Sequence, residues 1–361
     1  MASEGGQRLS HPCRIEDAML PFDTLSHLNV GRALRAIGMA ALLAAGLGGC
    51  IAGEASEGPL RPSPITAKSE MASDPVLLVA TTRKPGPSAT ASPFFTADRG
   101  TGLTFAEARM APPGTGIRAQ VTSLGQTAWS VATLQNRVMA GAAQAFSLAA
   151  NGRDLLLYVH GYNETFESAA SSAATLSDAI GFQGKTALFA WPSGGRLLNY
   201  IGDRESATWS RDGFEAALRA IGSNASIGRV HIVAHSMGTL LTLESLRQIA
   251  PNDPLRQKLG AIVFASPDID IDVFEANVTK LGPLASRMTM IIDPGDLALA
   301  ASARLAGGIT RAGAADRARL EALGMRVADA GGIGWSVIRH DLFLSNSEVT
   351  QVIRRAMDRA G

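Results

Sequence analysis

The chain has 361 residues, 46% hydrophobic and 18% charged, and its 33 Lys and Arg nearly cancel 32 Asp and Glu to leave a formal charge of +1. That balance needs no basic stripe to explain it, so nucleic-acid binding loses its main physical support, and the apolar content is too high for a disordered chain. The only cysteines, Cys13 and Cys50, precede the globular part, which excludes a disulfide framework and a cysteine-rich zinc module.

Residues before about Met19 read as an extension outside the fold. From Gly31 the sequence runs GRALRAIGMAALLAAGLGGC. Arg32 and Arg35 form a positive n-region, Ile37 to Leu47 a short apolar run, and small residues lead into Cys50. The run is short of the roughly 20 apolar residues that span a bilayer. Leu47-Gly48-Gly49-Cys50 resembles the lipobox of bacterial lipoproteins, which implies that Cys50 is acylated and becomes the mature N-terminus. An ordinary secretory signal or a single membrane anchor are the alternatives. Residues 1–49 are therefore expected to be a leader with a lipoprotein-type signal peptide. The expected location is the bacterial cell envelope, lipid-anchored, with secretion as the alternative. Residues 50–74, rich in Ala, Ser, Pro and Glu without an apolar period, read as a flexible tether. As a coil it would reach roughly 25–30 Å.

Residues 75–361 alternate strand and helix. Apolar runs at Val76–Ala80, Leu155–Val159, Ala187–Ala190, Val230–Ala234, Ala261–Ala265 and Met288–Ile292 suit parallel strands buried on both faces. Between them, helices are expected over Glu164–Ile180, Glu205–Ile221, Thr239–Ile249 and Asp270–Leu281, with a last one over Glu348–Arg359. This order predicts a single α/β domain, a three-layer sandwich with a mostly parallel central sheet. No discrete lid insertion stands out, and Gly86–Ala150 is the stretch that has room for one. In such sheets the functional residues lie just past the carboxyl ends of the strands.

The strand Arg229–Ala234 runs into His235-Ser236-Met237-Gly238 and directly into a helix. That is the setting of a nucleophile elbow, with Ala234 in place of the first glycine of G-x-S-x-G. Ser236 is the expected nucleophile; an ordinary helix cap is the bland alternative. Leu155–Val159 ends in His160-Gly161-Tyr162-Asn163, so the Tyr162 and Met237 amides are expected to form an oxyanion hole. Of six histidines, two lie in the leader and three in or beside strand ends, which leaves His340 as the base. In the order nucleophile, acid, histidine, the acid comes between them. Asp296 is favoured and Asp268 is the runner-up, with capping of the next helix as the competing role for Asp268 or Asp270. Trp191-Pro192-Ser193 and Tyr200–Trp209 read equally well as pocket wall or as packing. His231 and His235 are four strand residues apart, about 13 Å, too far to share one zinc ion.

Eight blocks in order carry a resemblance. They are TRKP at 82–85, VHGYNETF at 159–166, FAWPSGG at 189–195, YIGDRESATWSRDGF at 200–214, AHSMG at 234–238, FASPDID at 264–270, GDLALAAS at 295–302 and RHDLF at 339–343. From roughly Asp74 onward the chain resembles the bacterial α/β-hydrolase family of unknown function DUF900, grouped with the esterases and lipases. The resemblance implies an α/β-hydrolase fold and matches Ser236, Asp296 and His340 to the family's triad. Thr239, where Asn is common, and Asp341-Leu342 after His340 depart from its pattern without removing a catalytic group. The expected function is a serine hydrolase, carboxylesterase- or lipase-like, acting on a small-molecule or lipid ester. It needs no metal or organic cofactor, takes no nucleic acid, and meets the membrane through its N-terminal lipid anchor. A non-catalytic envelope lipoprotein that uses the fold for binding is the alternative, as is an acyltransferase or amidase with the same triad.

Overall fold

The apolar runs pair with one another through the middle of one sheet. The computed structural model describes residues 68–114, 128–138, 152–195, 199–331, 344 and 346–360. Contacts divide the chain into two units, Met1–Pro59 and Leu60–Gly361, and every described residue belongs to the second. Cys50, the signal segment before it and His340 lie outside the described residues.

Among the described residues the strands are β1 (Val76–Pro85), β2 (Phe95–Ala111), β3 (Ser130–Val138), β4 (Leu155–Val159), β5 (Lys185–Ala190), β6 (Val230–His235), β7 (Leu259–Ala265), β8 (Met288–Ile292) and β9 (Arg326–Asp329). They form one sheet in the order β3-β2-β1-β5-β4-β6-β7-β8-β9. β2 runs antiparallel to both β1 and β3, and every other pairing is parallel. The helices are α1 (Glu70–Ser73), α2 (Phe166–Ala179), α3 (Tyr200–Trp209), α4 (Arg211–Ser223), α5 (Gly238–Gln248), α6 (Pro254–Lys258), α7 (Ile271–Leu281), α8 (Leu297–Leu305), α9 (Arg317–Glu321) and α10 (Ser347–Arg359).

The three-layer sandwich follows from strand parity, because successive side chains point to opposite faces. On β4, Leu155, Leu157 and Val159 join one apolar cluster with Phe214 and Leu218 of α4, Leu243 of α5 and Phe274 of α7. Leu156 and Tyr158 join another with Phe166, Ala173 and Leu176 of α2 and Ile353 of α10. Each fully buried aliphatic or aromatic side chain stabilises by roughly 1.5–3 kcal/mol. Buried on both faces, β4 therefore reads as an unbroken apolar run rather than an alternation. None of the helices among the described residues is long and apolar enough to cross a membrane.

Three expectations change. The tether does not extend to Asp74: residues 69–74 are docked on the domain. Met71 is buried, Ser69 donates to Asp178 at 2.6 Å, and Lys185 bridges Glu70 and Asp74. The helix expected over Glu205–Ile221 is two helices that meet at Ser210. The Ser210 hydroxyl lies 2.8 Å from Ser206 O and 2.8 Å from Thr82 Oγ1, and such back-bonding bends a helix. The segment Gly86–Ala150, which had room for a lid, contains β2 and β3, which extend the sheet beyond β1. Beyond the buried Phe95, the first half of β2 is exposed or half-buried, so its sequence shows no apolar run.

Candidate active site

Only Ser236 and Met237 separate the last residue of β6 from the first of α5. To make that turn, Ser236 adopts φ 50°, a left-handed conformation that costs a non-glycine residue about 1–3 kcal/mol. Two bonds hold it there: Ser236 N–H donates to Ala265 O at 2.9 Å, and Thr239 N–H donates to Ser236 O at 3.1 Å. Gly238 is needed for close approach, since a Cβ there would lie 2.4 Å from His160 O. Gly161 is needed for the same reason, because its Cβ would lie 2.9 Å from the Ser236 Cβ. The end of β4 and the elbow are thus pressed together by two residues that carry no side chain. Met237 stands at the N-cap of α5, where helix amides have no intrahelical partner. Tyr162 directly follows Gly161 and Met237 directly follows Ser236, so both expected oxyanion donors belong to the two segments that meet here.

His160 anchors the strand end beneath this cradle. Its ring is fully buried and stacks on Trp191 with centroids 4.7 Å apart. Nδ1 faces Gly161 O at 2.8 Å, and Trp191 N–H donates to Nε2 at 3.1 Å. That pair of partners assigns the neutral ring with its proton on Nδ1. Trp191 Nε1 in turn donates to His160 O at 2.9 Å, so the tryptophan is packing rather than pocket wall. Burial, aided by the nearby Arg83 charge, holds the His160 pKa well below its ordinary value. The unfolded chain takes up a proton at this histidine as pH falls through about 6.5, and the folded chain does not. Stability is therefore expected to fall on acidification below that value, by up to about 1.4 kcal/mol per pH unit from this group. Melting curves of wild type and His160→Gln across the acidic range check it: the variant should show the shallower pH slope. Equal slopes would contradict the assignment.

The acids are distinguished by what surrounds them. β8 lies next to β9, the strand from which the chain leads toward His340, and Asp296 follows β8. Asp296 is 2% exposed and caps α8, with Oδ1 accepting from Ala298 N at 2.8 Å and Leu299 N at 3.2 Å. Asp268 follows β7, which is nearer the elbow strand, but it caps no helix among the described residues. Asp270 has that role, accepting from Asp272 N and Val273 N at the start of α7. Asp268 instead accepts from Ser302 Oγ at 2.6 Å and Tyr200 Oη at 2.9 Å, and pairs with Arg311 at 3.2 Å. Arg311 is 2% exposed, so the Asp268 carboxylate is the counter-charge of a buried cation. Tyr200 also packs edge-on against Tyr162 at 5.4 Å.

Gly161 and Ser236 meet at the carboxyl ends of the neighbouring strands β4 and β6, with Tyr162 and Met237 next to them in the chain. Asp296 stands past the end of β8, and His340 lies outside the described residues. Sequence reasoning gave no role to Arg83 and only a pocket-wall or packing role to the segments that hold Ser193 and Asp203; all three are buried beside the loop after β4. The signal for them was present as unexplained charged and polar residues inside the blocks at 82–85, 189–195 and 200–214.

A family model described as an alpha/beta hydrolase of unknown function (DUF900) matches residues 143–356. A search of curated proteins returned no match. Among solved structures, the chain is similar to a carboxylesterase from Bacillus subtilis at 13% identity and TM-score 0.36, over 72% of this chain and 89% of that one. It is also similar to an esterase from Rhizomucor miehei at 11% identity and TM-score 0.35, over 79% and 83% of the two chains. A predicted hydrolase from Thermoplasma acidophilum matches at 15% identity and TM-score 0.32, over 58% and 86%.

Proposed function

Since the chain belongs to the DUF900 family of alpha/beta hydrolases, we propose that it is a serine hydrolase that cleaves carboxylic esters through an acyl-enzyme. The observation that carries this reading is Ser236, held at φ 50° between β6 and α5 with the Gly161 backbone against its Cβ. Strain of this kind is retained where a site depends on it, and an ordinary cap does not need it. In the first step Ser236 Oγ attacks the ester carbonyl carbon while His340 takes the hydroxyl proton. Asp296 orients His340 and stabilises its cationic form. The negative charge on the former carbonyl oxygen is met by the Tyr162 and Met237 amides, each such donor contributing about 3–4 kcal/mol to the transition state. The tetrahedral intermediate then collapses, and the alcohol leaves with the proton held by His340. Water, activated in the same way, releases the acid and restores Ser236.

The direct test is a panel of p-nitrophenyl esters with short to long acyl chains, assayed with and without EDTA. Release of p-nitrophenol that depends on Ser236 and withstands EDTA supports the reading. Turnover unaffected by Ser236→Ala, or lost with EDTA and restored by zinc, would overturn it.

The apolar run before Cys50 supports a second part of this proposal: the enzyme is tethered to a face of the bacterial envelope by acylation of Cys50. One acyl chain gives only marginal membrane binding, so stable anchoring calls for a second acyl chain or another membrane-binding signal. Cells fed a labelled fatty acid should incorporate it into wild type and not into Cys50→Ala. Recovery of wild type without label would contradict lipidation.

A further inference from the structure

Three of the sequence blocks without a catalytic role converge on the loop that follows β4. Arg83, 1% exposed at the end of β1, makes no direct bond to a carboxylate among the described residues. Its guanidinium donates to three backbone carbonyls: Glu164 O at 2.7 Å, Ser193 O at 3.1 Å and Thr96 O at 3.3 Å. Burial lowers its pKa to about 10, so it remains charged at neutral pH. Asp203 of α3 is fully buried on the other side of Ser193. Its Oδ1 accepts from Gly194 N and Asn199 Nδ2, each at 2.8 Å. Its Oδ2 accepts from Ser193 Oγ at 2.5 Å and, more loosely, from Asn163 N at 3.4 Å. Ser193 Oγ completes the circuit by accepting from Glu164 N at 3.1 Å.

The bonds end on Asn163 N, Glu164 N and Glu164 O, the groups next to Tyr162 on its C-terminal side. Asn163 itself is at φ 62°, a left-handed conformation that asparagine tolerates better than most residues. A turn at the surface can be capped by neutral groups or water at little cost. Burying a cation and an anion to hold it costs desolvation at both, and the gain is stiffness, since bonds to charged groups are about twice as strong as neutral ones. We infer that Arg83, Ser193 and Asp203 are positioning residues for the oxyanion hole, clamping residues 163–164 so that the Tyr162 amide faces the carbonyl oxygen above Ser236. The clamp rests on the ester-hydrolase reading for its purpose and on these hydrogen bonds for its existence.

The test compares wild type with Arg83→Lys, Asp203→Asn and Ser193→Ala in the full chain, below the melting transition of each. Ser193→Ala removes one hydroxyl and so keeps the test open where a charge change prevents folding. Four quantities are read: kcat and KM on an ester, inhibition by phenylboronic acid, and amide hydrogen exchange over residues 159–166. A misplacement of about 1 Å costs on the order of 100-fold in rate. The expected result is a fall in kcat of about that size with KM changed little, and boronate binding weakened in step. Exchange in 159–166 should quicken while that of β6 and α5 stays protected. A lower melting temperature with unchanged kcat, boronate affinity and exchange would overturn the clamp and leave a structural role only. Faster exchange with unchanged kcat and boronate affinity would overturn it too. If wild type shows no Ser236-dependent turnover, the ester-hydrolase reading fails. Exchange then decides the clamp alone, quickened exchange supporting it and unchanged exchange overturning it.

Discussion

Ser236→Ala is expected to lower ester turnover by about 10⁶-fold, the scale on which nucleophile loss acts in a well-characterised serine protease. In the proposed mechanism the hydroxyl oxygen is the atom that bonds to substrate, and no other group of the elbow is assigned that role. The remaining site keeps its amide donors, so substrate still binds and some rate above water persists. The fold should be spared, since alanine occupies less space than serine and the turn is held by the Ser236 main chain bonded to Ala265 and Thr239. Initial rates on an activated ester, beside melting curves for both proteins, check it. A variant within tenfold of wild type would remove Ser236 from the chemistry.

Asp296→Asn is expected to lower turnover by about 10⁴-fold with little loss of stability. Asparagine caps helices nearly as well as aspartate, so the bonds to Ala298 and Leu299 survive while the negative charge that the proposed mechanism uses to orient His340 is lost. Asp268→Asn is expected to do the reverse. Neutralising it strands the buried Arg311 guanidinium, and breaking a buried pair from one side costs about 3–5 kcal/mol. That exceeds the roughly 1 kcal/mol that loss of a helix cap costs. Turnover measured well below the lower melting temperature separates the two effects. If Asp268→Asn is the inactive folded variant and Asp296→Asn keeps near-normal turnover, the acid is Asp268.

The parts of this molecule that were legible in sequence are those where one residue type has one physical use. The runs at Leu155–Val159 and Val230–Ala234 read as inner strands because burial on both faces leaves no room for polar residues. The elbow read clearly because small residues, a serine and an immediate helix have few other reasons to follow such a strand. β2 was missed because much of it faces solvent, and β9 because it is four residues long at the sheet edge. The break at Ser210 depends on Thr82 of β1, a partner more than a hundred residues away that helical periodicity cannot reveal. The role of Asp268 is hidden for the same reason, since Arg311, Ser302 and Tyr200 all come from distant segments. Arg83 and Asp203 looked like ordinary charged residues of a loop and a helix, because burial is not written in a single charge.

The most direct measurement is the mass of the full-length protein after treatment with a fluorophosphonate. The expected result is one covalent adduct per chain, mapped by peptide sequencing to Ser236 and absent from Ser236→Ala. An adduct on another residue, or none on folded wild type, would contradict a nucleophile at the elbow.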